Sequence, residues 1–361
     1  MKILFFINAL EHGGAARVIT TLGNELASRS YTVFIMANTV SQKVNFKIDD
    51  NVHLIPIFTE KSLKYPGAFR KIHNFFRIRG QLKKVTPDII IGVMPRNFLK
   101  ILICSLGLSI PLIASDHTSF NRKLDLLSNF IRFHLYNLAN AITILTLADY
   151  KFLGERLPKK VIMPNPLTYD IFAGQSTKRK NLLAVGRLDE WWIKGFDILI
   201  EVWARIAKKY PDWILEFVGD GRSESFRILQ NFVSKYEIDE YVKFLGYYTN
   251  MEKIFQNSSI FILSSRYEGF GMVLIEAMSQ GCACISFDNA GRQEEIISSQ
   301  ENGIIIKGQS KDRLENAIIR LIEDDVLRAS LGEHAKQEVT RYSKGRIAEQ
   351  WEKLFSETIT K

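Results

Sequence analysis

The sequence of 361 residues contains only three cysteines, Cys104, Cys282 and Cys284. The number is odd and two of the three are separated by one residue, which argues against a disulfide framework or a four-cysteine zinc site. We therefore expect a reducing compartment. Long apolar runs are also missing. Residues 101–115 are the most apolar stretch after the N-terminus, but they contain Pro111 and fall short of the ~20 apolar residues that span a bilayer.

The N-terminal segment "MKILFFINAL" could be taken for a secretory signal, but its apolar run is short and Glu11 follows at once. A strand that leads into a glycine turn explains it better. The turn lacks the spacing G-x-G-x-x-G, so the fingerprint of a dinucleotide-binding fold is absent. These features predict a soluble, cytoplasmic protein.

Charge is distributed unevenly along the chain. Residues 1–165 contain 22 Lys and Arg against 10 Asp and Glu, a net charge of +12, whereas residues 166–361 contain 26 and 29, a net charge of −3. A basic half favours an anionic partner such as nucleic acid, membrane lipid or a phosphorylated substrate.

Apolar runs of strand length alternate with helical patterns along the whole chain, as in "VTPDIIIGV" at residues 85–93. Continuous apolar runs are typical of parallel strands that are buried on both faces. The pattern predicts an α/β protein with two doubly wound, Rossmann-like domains that face each other across a cleft. We assign residues 1–165 and 166–345 to these domains, and residues 346–361 to a C-terminal helix that packs back toward the first domain.

Two loops that follow predicted strands have features of anion-binding sites. Gly13 and Gly14 open the first helix, where backbone N–H groups are free to meet an anion. Arg187 and Lys194 supply two cations within "GRLDEWWIKG", which suits a diphosphate. The alternatives are a tight turn for the glycines and two solvated charges for the cations.

The segment "YEGFGMVLIEAM", residues 267–278, contains two glutamates, Glu268 and Glu276, around a glycine-rich helix entry at residues 269–273. The helix start offers N–H groups to a phosphate, and carboxylates accept hydrogen bonds from the hydroxyls of ribose or a hexose. The alternative is one acid at a helix start and one solvated glutamate.

Asp116 and His117 follow the fifth predicted strand of the first half. A histidine at a strand end can hydrogen-bond a substrate or move a proton near neutral pH. A purely structural histidine is the alternative.

Residues 61–84 contain eight Lys and Arg and no acidic residue, with Phe69, Ile72 and Phe76 at helical spacing. This pattern resembles a basic amphipathic helix on an anionic membrane surface. The basic residues that we assign to this surface are Lys71, Arg77, Arg79 and Lys83. A core-facing helix with a solvated basic face is the alternative.

The combination of "EGFGMVLIE" with "GRLD…KG" resembles the retaining glycosyltransferases of family 4, which have the GT-B fold. The similarity extends over essentially the whole chain and includes the Gly-Gly loop, "DH", "VGDG" at residues 218–221 and "FLGYY" at residues 244–248. The resemblance is to bacterial enzymes that extend lipid-linked oligosaccharides for capsule, O-antigen or protein glycosylation.

The resemblance implies a role for each matching residue. Glu276 should hold the ribose, Arg187 and Lys194 the diphosphate, and His117 the donor sugar near the reacting carbon. Glu268 should contact the donor sugar, and Gly14 should approach the phosphate. The remaining donor-binding positions are Gly13, Gly246, Tyr247, Phe270, Gly271, Met272 and Val273. The loop between Arg187 and Lys194 is longer than in many members, which puts the position of Lys194 in doubt, and Trp191 and Trp192 have no role in the family pattern.

The implied function is transfer of a hexose or N-acetylhexosamine from a nucleoside diphosphate sugar, most often UDP, to a saccharide on undecaprenyl diphosphate. The sequence contains no Asp-x-Asp motif, so we expect neither a metal nor another cofactor. An epimerase or hydrolase of UDP-sugars with the same architecture is the alternative. We expect no nucleic-acid partner, since the basic run lacks an RNA-recognition or helix-turn-helix signature. The resemblance makes residues 166–345 the donor domain and the basic residues 1–165 the acceptor side, with Lys71, Arg77, Arg79 and Lys83 on its acceptor and membrane face. The protein should associate peripherally with the inner face of the membrane. The sequence leaves open the sugar, the choice between UDP and GDP, the acceptor linkage and the oligomeric state.

Overall fold

The computed structural model describes residues 1–11, 13–40, 44–174 and 177–360. Within it the chain forms two compact units. The first unit contains Met1–Thr168 together with the segment from Tyr342 onward, and the second contains Tyr169–Arg341. The division after Thr168 lies in the same proline-containing segment as the predicted boundary after residue 165.

The first unit is built on a seven-stranded sheet with the order β3-β2-β1-β4-β5-β6-β7. Every pairing between these strands is parallel. The strands are β1 Lys2–Phe6, β2 Thr32–Ala37, β3 Val52–Pro56, β4 Ile89–Val93, β5 Leu112–Ser115, β6 Ala141–Ile144 and β7 Lys160–Ile162. All five residues of β4 are buried, because helices cover both faces of the sheet.

The second unit has a six-stranded parallel sheet with the order β10-β9-β8-β11-β12-β13. Its strands are β8 Arg179–Val185, β9 Ile214–Val218, β10 Val242–Gly246, β11 Ser258–Leu263, β12 Ala283–Phe287 and β13 Ile304–Ile306. The predicted α/β class with two doubly wound sheets is confirmed.

Helices connect the strands of both sheets. In chain order they are α1 Gly14–Ser28, α2 Glu60–Leu63, α3 Gly67–Val85, α4 Pro95–Ser105, α5 Leu126–Phe133, α6 Leu147–Leu153, α7 Trp191–Lys194, α8 Phe196–Ile206, α9 Ser223–Lys235, α10 Met251–Asn257, α11 Met272–Ser279, α12 Lys311–Glu323, α13 Asp325–Glu338 and α14 Lys344–Ile359. Among the described helices, none is both long enough and apolar enough to cross a membrane.

Helix α14 belongs to the first unit, although it follows the second unit in the chain. It buries Trp351 and Phe355 and contacts α1. The guanidinium of Arg29 in α1 lies 3.3 Å from the carboxylate of Glu352 and donates to the carbonyl of Gly345 at 3.1 Å. The apolar face of α14 is therefore part of the core of the first unit.

The order of the strands reverses direction at one point in each sheet. In the first unit, β1 and β4 are neighbours whose connections leave in opposite directions, and in the second unit β8 and β11 have the same relationship. In open parallel sheets the crevice at the carboxyl ends of such strands is the usual place for a ligand. The loops after β8 and β11 therefore define where to look for a site in the second unit.

Candidate active site

The loop after β8 carries the two predicted cations, Arg187 and Lys194. Arg187 is exposed, and its guanidinium lies 3.6 Å from the carboxylate of Asp189. The backbone N–H of Arg222 and the hydroxyl of Ser225 both donate to Asp189 at 2.9 Å, and these hydrogen bonds lower the pKa of its carboxyl to about 2. Asp189 is thus fixed by α9, while the outer part of Arg187 remains open to solvent.

Lys194 forms an ion pair with Glu268 of the loop after β11. Its Nζ lies 3.0 Å from Oε2 of Glu268, and the two side chains are only 17% and 15% exposed. The predicted diphosphate cation and the predicted sugar-binding acid are therefore in direct contact. The long loop between Arg187 and Lys194 folds as the short helix α7, and it keeps Lys194 beside the second loop.

Hydrogen bonds to backbone carbonyls hold these two loops together. The hydroxyl of Ser264 donates to the carbonyl of Lys194 at 2.9 Å, and the N–H of Arg266 donates to the carbonyl of Ile193 at 2.7 Å. Gly195 has φ +66°, and a Cβ atom built on it would lie 2.0 Å from the carbonyl oxygen of Ser264. Only glycine fits at this crossing, so the approach of the loops depends on the Lys194-Gly195 pair in "KG".

The predicted helix entry after Glu268 is observed. Gly271, with φ +96°, precedes α11, and Phe270 is buried. No side chain caps the first turn, which contains Met272 and Val273, so its N–H groups are not occupied by a cap. Glu276 lies in the second turn of α11 and is fully buried.

Two buried polar groups near this helix start were not singled out from the sequence. Among the described residues, the hydroxyl of Ser265 and the amide nitrogen of Gln293 have no hydrogen-bond partner. A Cβ atom built on Gly271 would lie 3.7 Å from Nε2 of Gln293. Buried polar groups are normally satisfied, and Gln293 lies close enough to Gly271 to contact a group bound at the helix start. Only their tertiary position marks them, since an isolated Ser or Gln carries no signal in the sequence.

The loops after β9 and β10 lie at the carboxyl ends of the strands of the second sheet, as do the loops after β8 and β11. The N–H of Gly219 donates to the carbonyl of Gly246 at 2.9 Å, and the N–H of Leu188 donates to the carbonyl of Asp220 at 2.8 Å. Tyr247 follows Gly246 and is 56% exposed. The structure thus links the "VGDG" and "FLGYY" motifs to the loop that contains Arg187.

The first unit contains the remaining predicted residues, Gly13, Gly14 and His117. Gly13 has φ +102° and Gly14 is the first residue of α1. His117 follows β5, with Nδ1 at 3.1 Å from Oδ1 of Asn165 and Nε2 at 3.0 Å from the hydroxyl of Ser115. Because the amide oxygen of Asn165 can only accept, Nδ1 carries the proton and Nε2 accepts from Ser115.

The environment of His117 favours its neutral form. Burial lowers the pKa of the imidazole, and the neighbouring charge of Asp116 and the hydrogen bond to Asn165 only partly offset this effect. Both ring nitrogens have partners inside the first unit. With both nitrogens engaged and the neutral form favoured, the imidazole is poorly placed for proton transfer near neutral pH.

Asp116 and Arg132 form a fully buried ion pair next to His117. Nε of Arg132 lies 2.7 Å from Oδ2 of Asp116 and Nη2 lies 2.9 Å from Oδ1. The hydroxyl of Tyr136 also donates to Oδ2 at 3.1 Å. Burial alone would raise the pKa of Asp116, but the charge and hydrogen bonds of Arg132 hold it below its ordinary value. The pair fixes the loop that presents His117.

The basic segment forms α2 and α3 of the first unit. Phe69, Ile72 and Phe76 are exposed. Arg77 donates to the carbonyl of Pro56 at 2.9 Å, and Arg79 donates to the carbonyl of Cys104 at 3.1 Å. These two arginines therefore fasten α3 to its neighbours. Lys71 and Lys83 are exposed to solvent.

Comparison with known proteins follows the division into units. The family described as "Glycosyltransferase Family 4" matches residues 12–167, and the family described as "Glycosyl transferases group 1" matches residues 170–338. The two matches together account for nearly all of the chain. The chain belongs to these glycosyltransferases.

Curated relatives resemble this glycosyltransferase along its full length. An uncharacterized glycosyltransferase of Haemophilus influenzae is 27% identical over 98% of the chain and 99% of its own length. A Campylobacter jejuni enzyme is 26% identical over 99% of both chains, and its name describes an α-1,4-N-acetyl-D-galactosaminyltransferase acting on GalNAc-alpha-(1->4)-GalNAc-alpha-(1->3)-diNAcBac-PP-undecaprenol. Both relatives are thus bacterial proteins that are named as sugar transferases.

Solved structures show the same fold at low identity. The Anabaena protein HepE in complex with UDP and glucose matches with a TM-score of 0.83 and 18% identity over 99% of both chains. Sucrose-phosphate synthase from Thermosynechococcus elongatus matches with the same TM-score, identity and coverage. The GT-B fold expected for the glycosyltransferase is confirmed.

Proposed function

We propose that the protein transfers a hexose or N-acetylhexosamine from a UDP-sugar to a saccharide carried on undecaprenyl diphosphate. The transfer retains the configuration of the anomeric carbon and needs no metal ion. The observation that carries this proposal is the ion pair of Lys194 and Glu268 at the strand-order reversal of the second sheet. The Campylobacter relative, named for action on an undecaprenol-linked saccharide, and the UDP complex of HepE support the choice of acceptor and donor.

In this proposal the second unit stabilises the departing UDP. The bond between the anomeric carbon and the β-phosphate oxygen breaks, and a bond from that carbon to an acceptor hydroxyl oxygen forms on the same face. The hydroxyl proton passes to the leaving phosphate oxygen. Arg187, Lys194 and the N–H groups at the start of α11 supply positive charge where negative charge develops. No side-chain acid is required, because a nucleoside diphosphate is a weak base.

In this proposal Glu276 and Glu268 bind different parts of the donor. Glu276 accepts hydrogen bonds from the ribose hydroxyls, and Glu268 does so from the sugar while it remains next to Lys194. The β10 loop at Gly246 and Tyr247 flanks the base. The roles of Gly13, Gly14 and His117 in the first unit stay predictions. The two glycines offer the N–H groups at the start of α1 to a phosphate, and His117 offers a contact to a sugar.

Nucleotide binding tests the donor site directly. In the presence of EDTA, UDP at 100 times its Kd should raise the free energy of unfolding by about 2.7 kcal/mol, measured as a thermal shift, and ADP should not. Glu276→Ala should remove most of this shift if the carboxylate holds the ribose. If none of the nucleotides raised the melting temperature, the donor site would be contradicted. A thermal shift that required Mg²⁺ would contradict metal independence.

An activity assay distinguishes a transferase from an epimerase or hydrolase. In a transferase, consumption of UDP-sugar equals formation of the glycosylated product, and this occurs only when a saccharide acceptor is added.

We also propose that the first unit binds the surface of an anionic membrane. Exposed apolar side chains lie on three helices: Phe69, Ile72 and Phe76 on α3, Ile103 on α4, and Leu126, Leu127 and Phe130 on α5. Helix α4 contacts both α3 and α5. Exposed lysines, among them Lys71 and Lys83, lie on α3 with its exposed apolar side chains. Exposed apolar side chains together with basic residues are the pattern of an interfacial surface.

Neutralising exposed lysines of this surface should weaken membrane binding. The variant with Lys64, Lys71 and Lys83 all changed to Gln should lose about 1 kcal/mol of binding free energy per charge, measured by flotation with vesicles that contain phosphatidylglycerol. Arg77 and Arg79 are left intact because they hold α3 in place.

The matched control changes three exposed lysines of the second unit, Lys235, Lys243 and Lys253, to Gln. This control has the same net charge as the test variant, so a purely nonspecific charge effect would weaken both equally. Equal flotation of the two variants would contradict a membrane-binding surface that includes α3.

A further inference from the structure

Two exposed aromatic side chains lie beside the Lys194–Glu268 ion pair and have no part in the proposed donor site. Trp192 of α7 is 49% exposed, and Tyr267 of the loop after β11 is 54% exposed. Their ring centroids are 6.2 Å apart and the ring planes are inclined by 38°. The two exposed rings thus lie close together with their planes inclined at a shallow angle.

The tryptophan ring is held in place from within the protein. The guanidinium of Arg266 lies 4.9 Å from the ring centroid of Trp192. Arg266 is itself fixed by two hydrogen bonds of 2.7 Å to the two carboxylate oxygens of Asp197. A bidentate pair of this kind has a defined geometry, and a cation over an indole face adds attraction. A large exposed aromatic that is already rigid loses little entropy when it binds a ligand.

Both aromatic residues are close in sequence to the two residues of the ion pair. Trp192 lies two residues before Lys194, and Tyr267 directly precedes Glu268. Lys194 and Glu268 are 17% and 15% exposed, so the half-exposed rings lie farther toward solvent than the ion pair does. A ligand that reaches the rings from solvent therefore arrives next to Lys194 and Glu268, the residues proposed to contact the donor.

We propose that Trp192 and Tyr267 form a stacking platform for a pyranose ring of the saccharide acceptor. This inference rests on the proposed function, since it places the acceptor beside the donor contacts of Glu268. One face of a pyranose carries mainly C–H groups, which pack on the electron-rich faces of aromatic rings, while its hydroxyls remain at the edge. The platform suits a ligand that enters and leaves in each cycle because its rings are open to solvent.

Tryptophan fluorescence provides a test that needs no turnover. Of the five tryptophans, Trp203, Trp213 and Trp351 are buried, and Trp191 packs against Phe232. Quenching by acrylamide should therefore report mainly on Trp192. We expect methyl N-acetyl-α-D-galactosaminide or methyl α-D-glucopyranoside at roughly 50 mM to reduce this quenching, because binding to one platform corresponds to a millimolar Kd.

Four variants make the test specific. Trp191→Phe should keep the protection by glycoside, and Trp192→Phe should lose the quenching signal that the glycoside changes. Tyr267→Ala keeps the reporter, yet we expect the glycoside Kd to rise roughly tenfold, a change equivalent to about 1.4 kcal/mol. Tyr267→Phe retains the ring and should bind as the wild type does.

The outcomes separate this inference from the proposed function. A thermal shift with UDP but no protection of Trp192 by either glycoside overturns the platform alone. Protection by uridine and not by the glycosides also overturns it, since the rings would then stack a base. If UDP gives no thermal shift, the proposed donor site fails, whatever the glycosides do. Protection by glycoside that is lost in Tyr267→Ala and kept in Tyr267→Phe supports the platform.

Discussion

Replacing Lys194 by Met should lower kcat by roughly 10²–10³, the loss found when one charge-stabilising group is removed from a transition state. In the proposed reaction, negative charge builds up on the leaving β-phosphate oxygen as its bond to the sugar breaks. Lys194 is a largely buried cation in the strand-reversal site of the second unit. Its effect should appear in kcat more than in KM, because the charge on the leaving oxygen is greatest in the transition state. Steady-state rates of UDP release with a saccharide acceptor measure it.

Two further variants separate chemistry from structure. Lys194→Met leaves Glu268 without its partner, so the double variant with Glu268→Gln shows how much of the loss comes from the unpaired carboxylate. Lys307→Met is the matched control, because Lys307 pairs with Glu294 at 2.8 Å on the surface of the same unit. We expect wild-type kcat from that control. A wild-type kcat in Lys194→Met as well would remove Lys194 from the mechanism.

Replacing Arg132 by Leu should destabilise the first unit by about 3–5 kcal/mol, since removal of one partner leaves the other charge buried and unpaired. Arg132 and Asp116 are both completely inaccessible to solvent. The carboxylate of Asp116 would retain only the hydrogen bonds from Thr118 and Tyr136. Urea unfolding followed by circular dichroism, with tryptophan emission as a second probe, measures the loss.

Arg96 offers a matched control for this prediction in the same unit. Its guanidinium lies 2.8 Å from Asp125, but the side chains are 66% and 50% exposed. Arg96→Leu should therefore cost less than about 1 kcal/mol. The double variant Asp116→Leu/Arg132→Leu should recover part of the stability, because it leaves no isolated charge. Equal losses for Arg96→Leu and Arg132→Leu would contradict the importance of burial.

The order of strands and helices could be predicted because parallel strands leave a strong local signal. Runs such as Ile89–Val93 are apolar without interruption, as a strand buried on both faces requires, and their short length and flanking proline favour a strand over a buried helix. The helix start after Gly271 was readable for a similar reason, since two glycines precede an apolar helical pattern. In both cases the residues that determine the local structure lie within a few positions of it in the sequence.

Interactions between distant residues could not be predicted in the same way. Arg132 lies in "NFIRFH", and nothing there indicates that it is buried, since arginine is most often exposed. Its partner Asp116 is 16 residues away in the chain. The contact of Lys194 with Glu268 spans 74 residues and depends on the close approach of two loops. Arg77 and Arg79 were predicted to face the membrane, yet their hydrogen bonds to backbone carbonyls depend on neighbours that the local pattern does not specify.

The return of α14 to the first unit has a consequence for how the protein is made. The chain enters the second unit after Thr168 and returns to the first at Tyr342, so the second unit is inserted between two parts of the first. During synthesis at about 5–20 residues per second, domains generally fold as units as they emerge from the ribosome. The second unit has all of its residues before α14 exists. Until α14 is synthesised, the surface of the first unit that binds Trp351 and Phe355 stays exposed. It is therefore the nascent first unit, not the second, that depends longest on protection from aggregation.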